Sequence, residues 1–521
     1  MRYFNTAGPC NPADHYMLPP ERRLPGIRDF IDRKLYFVIH APRQTGKTTC
    51  FEALAQSLTA EGRYVALHAT CEKGQPAGSD VERGTRAVLR DIAMEAERLP
   101  AAIRPEPLAD FETVEAESRL AAYLAAWCRR SDRPVVLFLD EIDALLDDTL
   151  LSVLRQLRGG YFDRPSRFPQ SVALIGLRDV RDYKVRVRKD ADSLGTSSPF
   201  NIKVESLTLR NFTREEVAEL YEQHTADTGQ VFSPEAKILA YELTRGQPWL
   251  VNALARQAVE VLVRDPKVAV EAAHIDRARE ILIERRDTHL DSLIDRLREP
   301  RVRRIVAPIL AGEFLPPDLL DDDVQFVKDL GLVASGPTGL EIANPIYREV
   351  IPRALTWVMQ DTLPIPRLPF IAEDGRLRFD KILDDFRDFW CQHAEFFLTR
   401  QPYSEAAAEL IFMAYLQRIV NGGGFIDREY AAGSGRIDLC VRWPHPGGLD
   451  RWAVELKVWR DGRTDPLAEG LEKLTGYLAR LGLDRGTLVL FDGRTQSPPV
   501  PERCSRTELE HAGKTVTILR L

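Results

Sequence analysis

The sequence predicts an α/β multidomain protein in which a parallel sheet flanked by helices comes first and a smaller α+β domain comes last. The main observation is a set of four short aliphatic runs that alternate with longer helical stretches; these runs are Leu35–Ala41, Tyr64–Ala69, Val135–Leu139 and Ser171–Leu177. Turn or charged residues bound each run, which is typical of buried parallel strands, and helices between such strands indicate an α/β sheet. A second region with period-two alternation lies near the carboxyl end.

Length and composition limit the classes of protein that the chain can form. At roughly 150 residues per domain, 521 residues predict three or four domains. Hydrophobic residues make up 44% and charged residues 29%, which is typical of a globular protein and not of a disordered one. The net charge of -7 means that any nucleic-acid contact must come from local basic patches.

The cysteines and the apolar runs indicate the compartment. The seven cysteines are scattered and form no C-x-x-C pair, which argues against a disulfide framework or a thiolate zinc site and favours a reducing compartment. The first ten residues, MRYFNTAGPC, lack a signal-peptide pattern. No apolar run approaches the ~18 residues of a membrane helix. We therefore expect a soluble, cytoplasmic protein without a membrane partner.

Changes of period and turn residues predict the later boundaries. Helical stretches such as Glu216–Gln223 and Leu250–Val263 follow the α/β region. Two further helices and two short runs around Gly336-Pro337 predict a winged helix, and Thr362–Phe370 holds three prolines, which is typical of a linker. The predicted domains are 1–210 (α/β core), 211–298 (helical lid), 299–360 (winged helix), 361–372 (proline-rich linker) and 373–521 (α+β domain).

A phosphate-binding loop follows the first predicted strand. Its residues are Ala41, Pro42, Arg43, Gln44, Thr45, Gly46, Lys47, Thr48 and Thr49. A strand, a tight loop ending in Gly-Lys-Thr and a helix form the context of a P-loop, in which backbone N–H groups surround phosphates. Lys47 would reach the β- and γ-phosphates of ATP, and the Thr48 hydroxyl would ligate Mg²⁺. Ala41 departs from the motif, because it stands where the first glycine is usual.

The third predicted strand ends in two carboxylates, Asp140 and Glu141. Acidic strand ends are common, so alone this pair could be a solvated strand end. Together with the Gly-Lys-Thr loop it predicts a Walker B strand, in which Asp140 holds the magnesium shell and Glu141 polarises the attacking water.

With these motifs, the segment from about Tyr16 to Leu355 resembles the AAA-like and STAND-type P-loop ATPases of prokaryotes. The resemblance implies a P-loop NTPase sheet with a helical lid, and ATP and Mg²⁺ as cofactors. Thr244–Leu250 is similar to the Gly-x-Pro motif by which STAND lids touch nucleotide, which implies that Pro248 contacts it. Ile175–Asp179 follows a strand where sensor residues occur, and Asp14–Tyr16 is expected near the base.

Two basic patches leave the macromolecular partners open. Arg181–Lys189 carries five positive charges and one negative, which fits a phosphate contact, a finger arginine for a neighbouring subunit, or a solvated edge strand. Arginines also gather at the entry to the predicted winged helix, where DNA contact and protein contact are both possible; they are Arg296, Arg298, Arg301, Arg303 and Arg304. DNA is the expected partner, with a homo-oligomer or a partner protein as further possibilities.

Carboxylates and a lysine gather on two alternating runs in the last domain. Asp438 lies opposite the apolar face of its run, and Glu455 and Lys457 share one face of the next. A hairpin can bring the three together, and two carboxylates near a backbone carbonyl form an oxygen site for Mg²⁺. Glu409 lies on the apolar stripe of a predicted helix, Ser404–Val420, and therefore needs a metal or a lysine as partner. A lone Glu-x-Lys pair is common on exposed strands.

These residues, within about Tyr403–Asp492, resemble the PD-(D/E)XK nuclease superfamily. The resemblance implies a restriction-endonuclease-like α+β fold with Glu409, Asp438 and Glu455 as metal ligands, Lys457 as a catalytic lysine, and Mg²⁺ or Mn²⁺ as the ion. Lys473 departs from the pattern, because relatives often carry glutamine there. A degenerate fold that only binds is the alternative.

The combined prediction is an ATP-binding and ATP-hydrolysing protein with a metal-dependent nuclease domain, acting as an ATP-regulated DNA endonuclease. Nuclease domains fused to such ATPases suggest, by analogy, defence or mobile-element biology. The alternative is a nucleotide-switched signalling or scaffold protein whose last domain only binds nucleic acid or a partner.

Overall fold

The computed structural model describes most of the chain; the described residues are 2–177, 203–285, 293–310, 314–316, 321–337, 339–362, 370–400, 407–420, 423–432 and 435–521. Arg178, Asp179, the basic segment Arg181–Lys189 and most of the proline-rich segment lie outside these residues. The chain divides into two compact units, which are Met1–His289 with Val324–Val333, and Leu290–Asp323 with Ala334–Leu521.

The first unit contains the predicted parallel sheet, which has a fifth strand in addition to the four that the sequence indicated. Its strands are β1 (Tyr36–His40), β2 (Val65–Thr70), β3 (Val135–Asp140), β4 (Ser171–Gly176) and β5 (Lys203–Thr208), in the order β2-β3-β4-β1-β5. The first four strands lie within one residue of the predicted runs at each end. Since all neighbouring pairs are parallel, the carboxyl ends of the strands, where the motif residues lie, meet at one edge.

Helices cover both faces of this sheet; they are α1 (Ile27–Asp32), α2 (Lys47–Ala60), α3 (Val81–Ala96), α4 (Ala116–Arg130) and α5 (Asp147–Gly159). Successive residues of β1 point to opposite faces of the sheet. Tyr36 and Val38 pack in the core with α3, α4 and α5, whereas Phe37 and Ile39 pack in the core with α1 and α2. Burial on both faces explains why these strands read as continuous apolar runs.

The region that the sequence predicted as a lid is helical, with α6 (Arg214–Thr228), α7 (Pro234–Thr244), α8 (Pro248–Gln257) and α9 (Ala272–Arg285). A capping box starts α6, because the Thr213 hydroxyl accepts from the Glu216 N–H and the Glu216 carboxylate accepts from the Thr213 N–H. Pro248 occupies the first turn of α8. Proline is tolerated there because N–H groups of the first turn make no hydrogen bond within the helix.

The elements expected for a winged helix are present: α10 (Pro300–Leu310), α11 (Asp322–Asp329), β6 (Val333–Gly336) and β7 (Gly339–Ile342), the two strands forming one small sheet. Asp322 and Asp323 of α11 belong to the second unit and the rest of that helix to the first. The winged helix itself stays a prediction.

The second unit contains a mixed six-stranded sheet in the order β12-β13-β11-β10-β9-β8. Its strands are β8 (Phe425–Ala432), β9 (Gly435–His445), β10 (Gly448–Trp459), β11 (Arg485–Asp492), β12 (Ser505–His511) and β13 (Lys514–Arg520). Its helices are α12 (Pro345–Thr362), α13 (Phe379–Arg400), α14 (Ala407–Val420), α15 (Leu467–Leu481) and α16 (Val500–Arg503). The sequence predicted β9, β10 and the helix α14, so the sheet is larger than expected.

The helix α15 connects β10 to β11, which run parallel, and it packs on the sheet through Leu471, Leu474 and Leu478. Burying each such leucine contributes about 1.5–3 kcal/mol. All seven cysteines are free. Within the described part of the chain, every helix is too short or too polar to cross a lipid bilayer.

Candidate active sites

The phosphate-binding loop lies between β1 and α2 and has the backbone that a P-loop needs. Gly46 precedes α2 with a φ of 82°, in the left-handed region that glycine tolerates. Ala41 has no positive φ, so its methyl group is compatible with the place where the motif usually has glycine. The Lys47 ammonium donates to the carbonyls of Ala41 at 2.8 Å and Pro42 at 3.1 Å, and the Thr45 hydroxyl donates to Pro42 O at 2.8 Å.

Asp140 joins the two predicted motifs. The Thr48 hydroxyl donates to Asp140 Oδ2 at 2.7 Å, and His68 Nε2 lies 3.2 Å from the same oxygen. Burial alone would raise the pKa of Asp140, but the interactions with His68, the hydrogen bond from Thr48 and the charge of Lys47 hold it below its ordinary value. Asp140 is therefore an ionised, oriented carboxylate beside the threonine hydroxyl, which suits a magnesium ion.

Glu141 follows the strand with a φ of 51°. Burial, opposed by the charge of Lys47, raises the pKa of its carboxyl group above the ordinary value, which makes the carboxylate a stronger proton acceptor. Asp143, in the next turn, also has a raised pKa because it is buried.

A cavity of about 390 Å³ extends from the loop to the first turns of α8. From the predicted set it is lined by Arg43, Gln44, Gly46, Lys47, Thr48, Thr49, Glu141 and Pro248. Its amino-terminal wall is formed by Asn5, Thr6, Gly8, Pro9 and Cys10, and not by Asp14–Tyr16, which the sequence placed near the base. The volume is in the range of small-molecule and cofactor sites.

One protein family and several solved structures are similar to parts of this chain. Residues 27–164 match the AAA ATPase domain family. Similar solved structures include a Walker-type ATPase of Pyrococcus abyssi, at 14% identity over 67% of this chain and 99% of that chain, with a TM-score of 0.47. The RuvB Holliday junction branch migration motor of Thermotoga maritima has 16% identity, coverages of 62% and 90% and a TM-score of 0.34. Cdc6p from Pyrobaculum aerophilum has 12% identity, coverages of 64% and 92% and a TM-score of 0.34.

No curated protein matches the chain. The family match and the P-loop geometry together show that residues 27–164 form an AAA-like P-loop ATPase domain, as the sequence predicted. The finer assignment to STAND-type ATPases stays a prediction.

The carboxylates of the second unit meet between β9 and β10. These strands are antiparallel, with Leu439 opposite Val454, and the Leu456 N–H donates to Asp438 Oδ2 at 2.8 Å. The side chain of Glu455 is fully buried, whereas that of Asp438 is 31% exposed. Burial and the charge of Asp438 raise the pKa of Glu455 to about 7.

Two lysines contact this pair of carboxylates. Lys457 Nζ lies 3.5 Å from Glu455 Oε1 and 3.0 Å from Glu469 Oε1. Lys473 Nζ, from α15, lies 2.5 Å from Glu455 Oε1 and 3.7 Å from Asp438 Oδ1. Burial would lower the pKa of Lys473, but the charges of Asp438 and Glu455 outweigh it and raise that pKa. An ammonium thus lies between the two carboxylates predicted to hold a metal.

Glu409 lies in the first turn of α14. Among the residues that the structure describes, no group of three or more His, Cys, Asp or Glu side chains is arranged to hold a metal ion. The assignment of Glu409 as a third ligand therefore stays a prediction.

Three contacts of these sites were missed by sequence reasoning. His68 is an ionisable residue in a strand that is apolar apart from it and Thr70, which was a usable signal for a partner at the strand end. Glu469 and Lys473 are four residues apart on one helical face, which is the spacing of a charged pair.

Proposed function

We propose that this ATPase carries a metal-dependent nuclease site in its last domain and that nucleotide state regulates DNA cleavage there. The observation that carries the proposal is the convergence of Asp438 and Glu455 on one cation, the Lys473 ammonium, with Lys457 beside them. Carboxylate oxygens that can hold a metal ion, with a positive charge beside them, are groups that can assist phosphodiester cleavage.

The ATPase half follows from the P-loop geometry. Lys47 and the N–H groups at the start of α2 would bind the phosphates, while Thr48 and Asp140, already joined at 2.7 Å, would hold Mg²⁺. A bound ion would supply neutralisation of phosphate charge. Glu141, in the same cavity, would accept the proton of the attacking water.

The carboxylate pair also fits a divalent ion, because a cation already lies within reach of both side chains. Carboxylate oxygens are the ligands that Mg²⁺ and Mn²⁺ prefer, and a bound ion would supply Lewis-acid activation of the phosphate. Lys457, positioned by Glu469, would stabilise the negative charge that develops on the phosphate oxygens.

A second candidate function is a nucleotide-switched scaffold whose last domain binds without cutting. The same Lys473 contacts favour it, because an ammonium that neutralises both carboxylates within the protein leaves less negative charge to attract a metal.

Cleavage of supercoiled plasmid and linear DNA by the full chain, with Mg²⁺ or Mn²⁺ and with or without ATP, separates the two candidates. Asp438→Ala and Glu455→Ala should each abolish cleavage and leave ATP hydrolysis at the parent rate. The nuclease would be excluded, and the scaffold supported, if the parent protein hydrolysed ATP but did not cut DNA with either metal. The Lys473→Gln variant would also have to fail to cut DNA.

A further inference from the structure

His68 is an ionisable side chain on the face of the first sheet that packs against α2. It lies in β2, where Ala66 packs in the core with α1 and α2, whereas Leu67 and Ala69 pack in the core on the opposite face. Since side chains alternate along a strand, His68 points to the same face as Ala66. Its side chain is only 10% exposed, and a buried imidazole needs a hydrogen-bond partner.

The partner of His68 is the Asp140 carboxylate, at the end of the neighbouring strand β3. His68 Nε2 lies 3.2 Å from Asp140 Oδ2, and the Thr48 hydroxyl donates to the same oxygen at 2.7 Å. The Glu141 N–H donates to Asp140 Oδ1 at 2.9 Å. An ionised carboxylate can only accept, so the hydrogen-bond network assigns a proton to Nε2 of His68.

The pairing of β2 with β3 holds His68 in this place. The two strands run parallel with Thr70 opposite Asp140, and the Cys71 N–H donates to the Asp140 carbonyl at 2.8 Å. Asp91, which is only 2% exposed, accepts from the Thr70 N–H at 2.7 Å. The end of β2 is therefore fixed on both sides, and so is the position from which His68 reaches Asp140.

We propose that His68 is a positioning residue for the magnesium site, because its Nε2–H holds the Asp140 carboxylate in the orientation in which that carboxylate also binds the Thr48 hydroxyl. Thr48 is itself an expected ligand of the ion, whereas His68 lies outside both motifs. His68 is absent from the walls of the 390 Å³ cavity, so it would act through Asp140 and not by touching the nucleotide. Removing a group that orients a metal site from outside typically lowers metal affinity about 10- to 100-fold. The proposal rests on nucleotide and magnesium binding at the P-loop.

Calorimetric titration of the full chain with ATP, in Mg²⁺ and in EDTA, tests this role. The ratio of the two affinities measures how much the ion strengthens ATP binding. His68→Leu keeps a bulky side chain without a donor and should lower this ratio about tenfold, with little change of the affinity in EDTA. His68→Gln supplies an amide N–H in place of the ring N–H and should retain most of the ratio. Neither variant has an ionisable group at this position, so the difference between them reports the hydrogen bond.

His40→Leu is the matched control, because His40 ends β1 of the same sheet and its ring nitrogens lie 3.3 and 2.9 Å from the hydroxyls of Ser206 and Thr208. It should leave the ratio of the two affinities at the parent value.

An unchanged ratio in His68→Leu, including an equal loss of affinity with and without the ion, would overturn the proposal and make His68 structural. An equal fall of the ratio in His68→Leu and His68→Gln would also overturn it, since the donor would then not matter. If His68→Leu failed to fold, His68→Phe, which keeps a flat ring without a donor, would give the same comparison. A parent chain that bound no ATP would refute the P-loop assignment itself, and this role with it.

Discussion

The P-loop site and the carboxylate site both combine lysines with acidic side chains, but their lysines are held by different groups. Lys47 donates to two backbone carbonyls, which carry only partial charges. Lys473 lies between two carboxylates, and Lys457 contacts Glu455 and Glu469. The first ammonium is therefore held by carbonyl groups that a phosphate can replace, whereas the second site is largely neutralised from within.

This difference teaches that residue types alone do not define the electrostatic state of a site. Burial lowers the pKa of Lys47, whereas the surrounding carboxylates raise that of Lys473. Phosphate binding at the P-loop requires only that Lys47 exchange its hydrogen bonds. A divalent ion at the carboxylate site must first displace an ammonium.

The largest expected effect is at the P-loop. Lys47→Ala should lower ATP affinity about 100-fold or more, because charge-assisted hydrogen bonds to two phosphates are lost. Lys473→Ala is the control and should leave ATP affinity unchanged. Titration with ATP in Mg²⁺ measures the affinity of both variants. An unchanged ATP affinity in Lys47→Ala would contradict the role of Lys47 in phosphate binding.

Glu141→Gln should come next in size and act on turnover alone. The amide cannot accept the proton of water, so kcat for ATP hydrolysis should fall about 100- to 10,000-fold while ATP binding persists. Glu72→Gln makes the same change at another residue that lines the cavity and should retain the parent kcat. A similar loss in both variants would assign the effect to the general charge of the cavity.

The sequence was sufficient where the fold depends on burial and the site on contiguous residues. The strands β1 to β4 are apolar on both faces, and the P-loop is a single run of residues, so both could be predicted closely. The edge strands β5, β8 and β12 and the strand β13 were not predicted. At β12, for example, Arg506, Glu508 and Glu510 interrupt the apolar pattern.

Contacts between distant elements could not be predicted in the same way. His68 reaches Asp140 because β2 and β3 are neighbours, and Lys473 reaches Glu455 because α15 packs on β10. Both facts depend on strand order and helix placement. The departure from glutamine at Lys473 was visible in the sequence, but its position between two carboxylates was not.

The third test alters the neutralised site directly. Lys473→Gln should raise the affinity for Mn²⁺ about tenfold, because it removes the cation that competes for Asp438 and Glu455. Lys457→Gln is the matched control and should have a smaller effect, since its ammonium lies 3.5 Å from Glu455 and is shared with Glu469. Calorimetry with Mn²⁺ measures both, and adding Asp438→Ala should cancel the gain. Unchanged or weaker Mn²⁺ binding in Lys473→Gln would show that the ammonium does not compete with the ion.

The smallest effect is expected at the arginines near the predicted winged helix. As at the carboxylate site, acidic side chains of the protein already neutralise these cations. Arg301 and Arg304 each contact Asp323, at 2.8 and 2.9 Å, and Arg304 also contacts Asp321. Because carboxylates already neutralise these guanidinium groups, replacing both with glutamine should change the salt dependence of DNA binding by much less than the slope of about 0.9 per phosphate contact. The ion pairs are partly exposed, so the free energy of unfolding should fall by only about 1 kcal/mol or less per pair.

Asp323→Asn is the informative counterpart, since it removes the shared partner of both arginines. If this surface meets DNA, that variant should bind it more tightly and with a steeper salt dependence than the parent. A large drop in the salt dependence of DNA binding in the double glutamine variant would instead mean that the arginines leave Asp323 to contact phosphates. Neutralisation within the protein would then not predict which cations are available to a ligand.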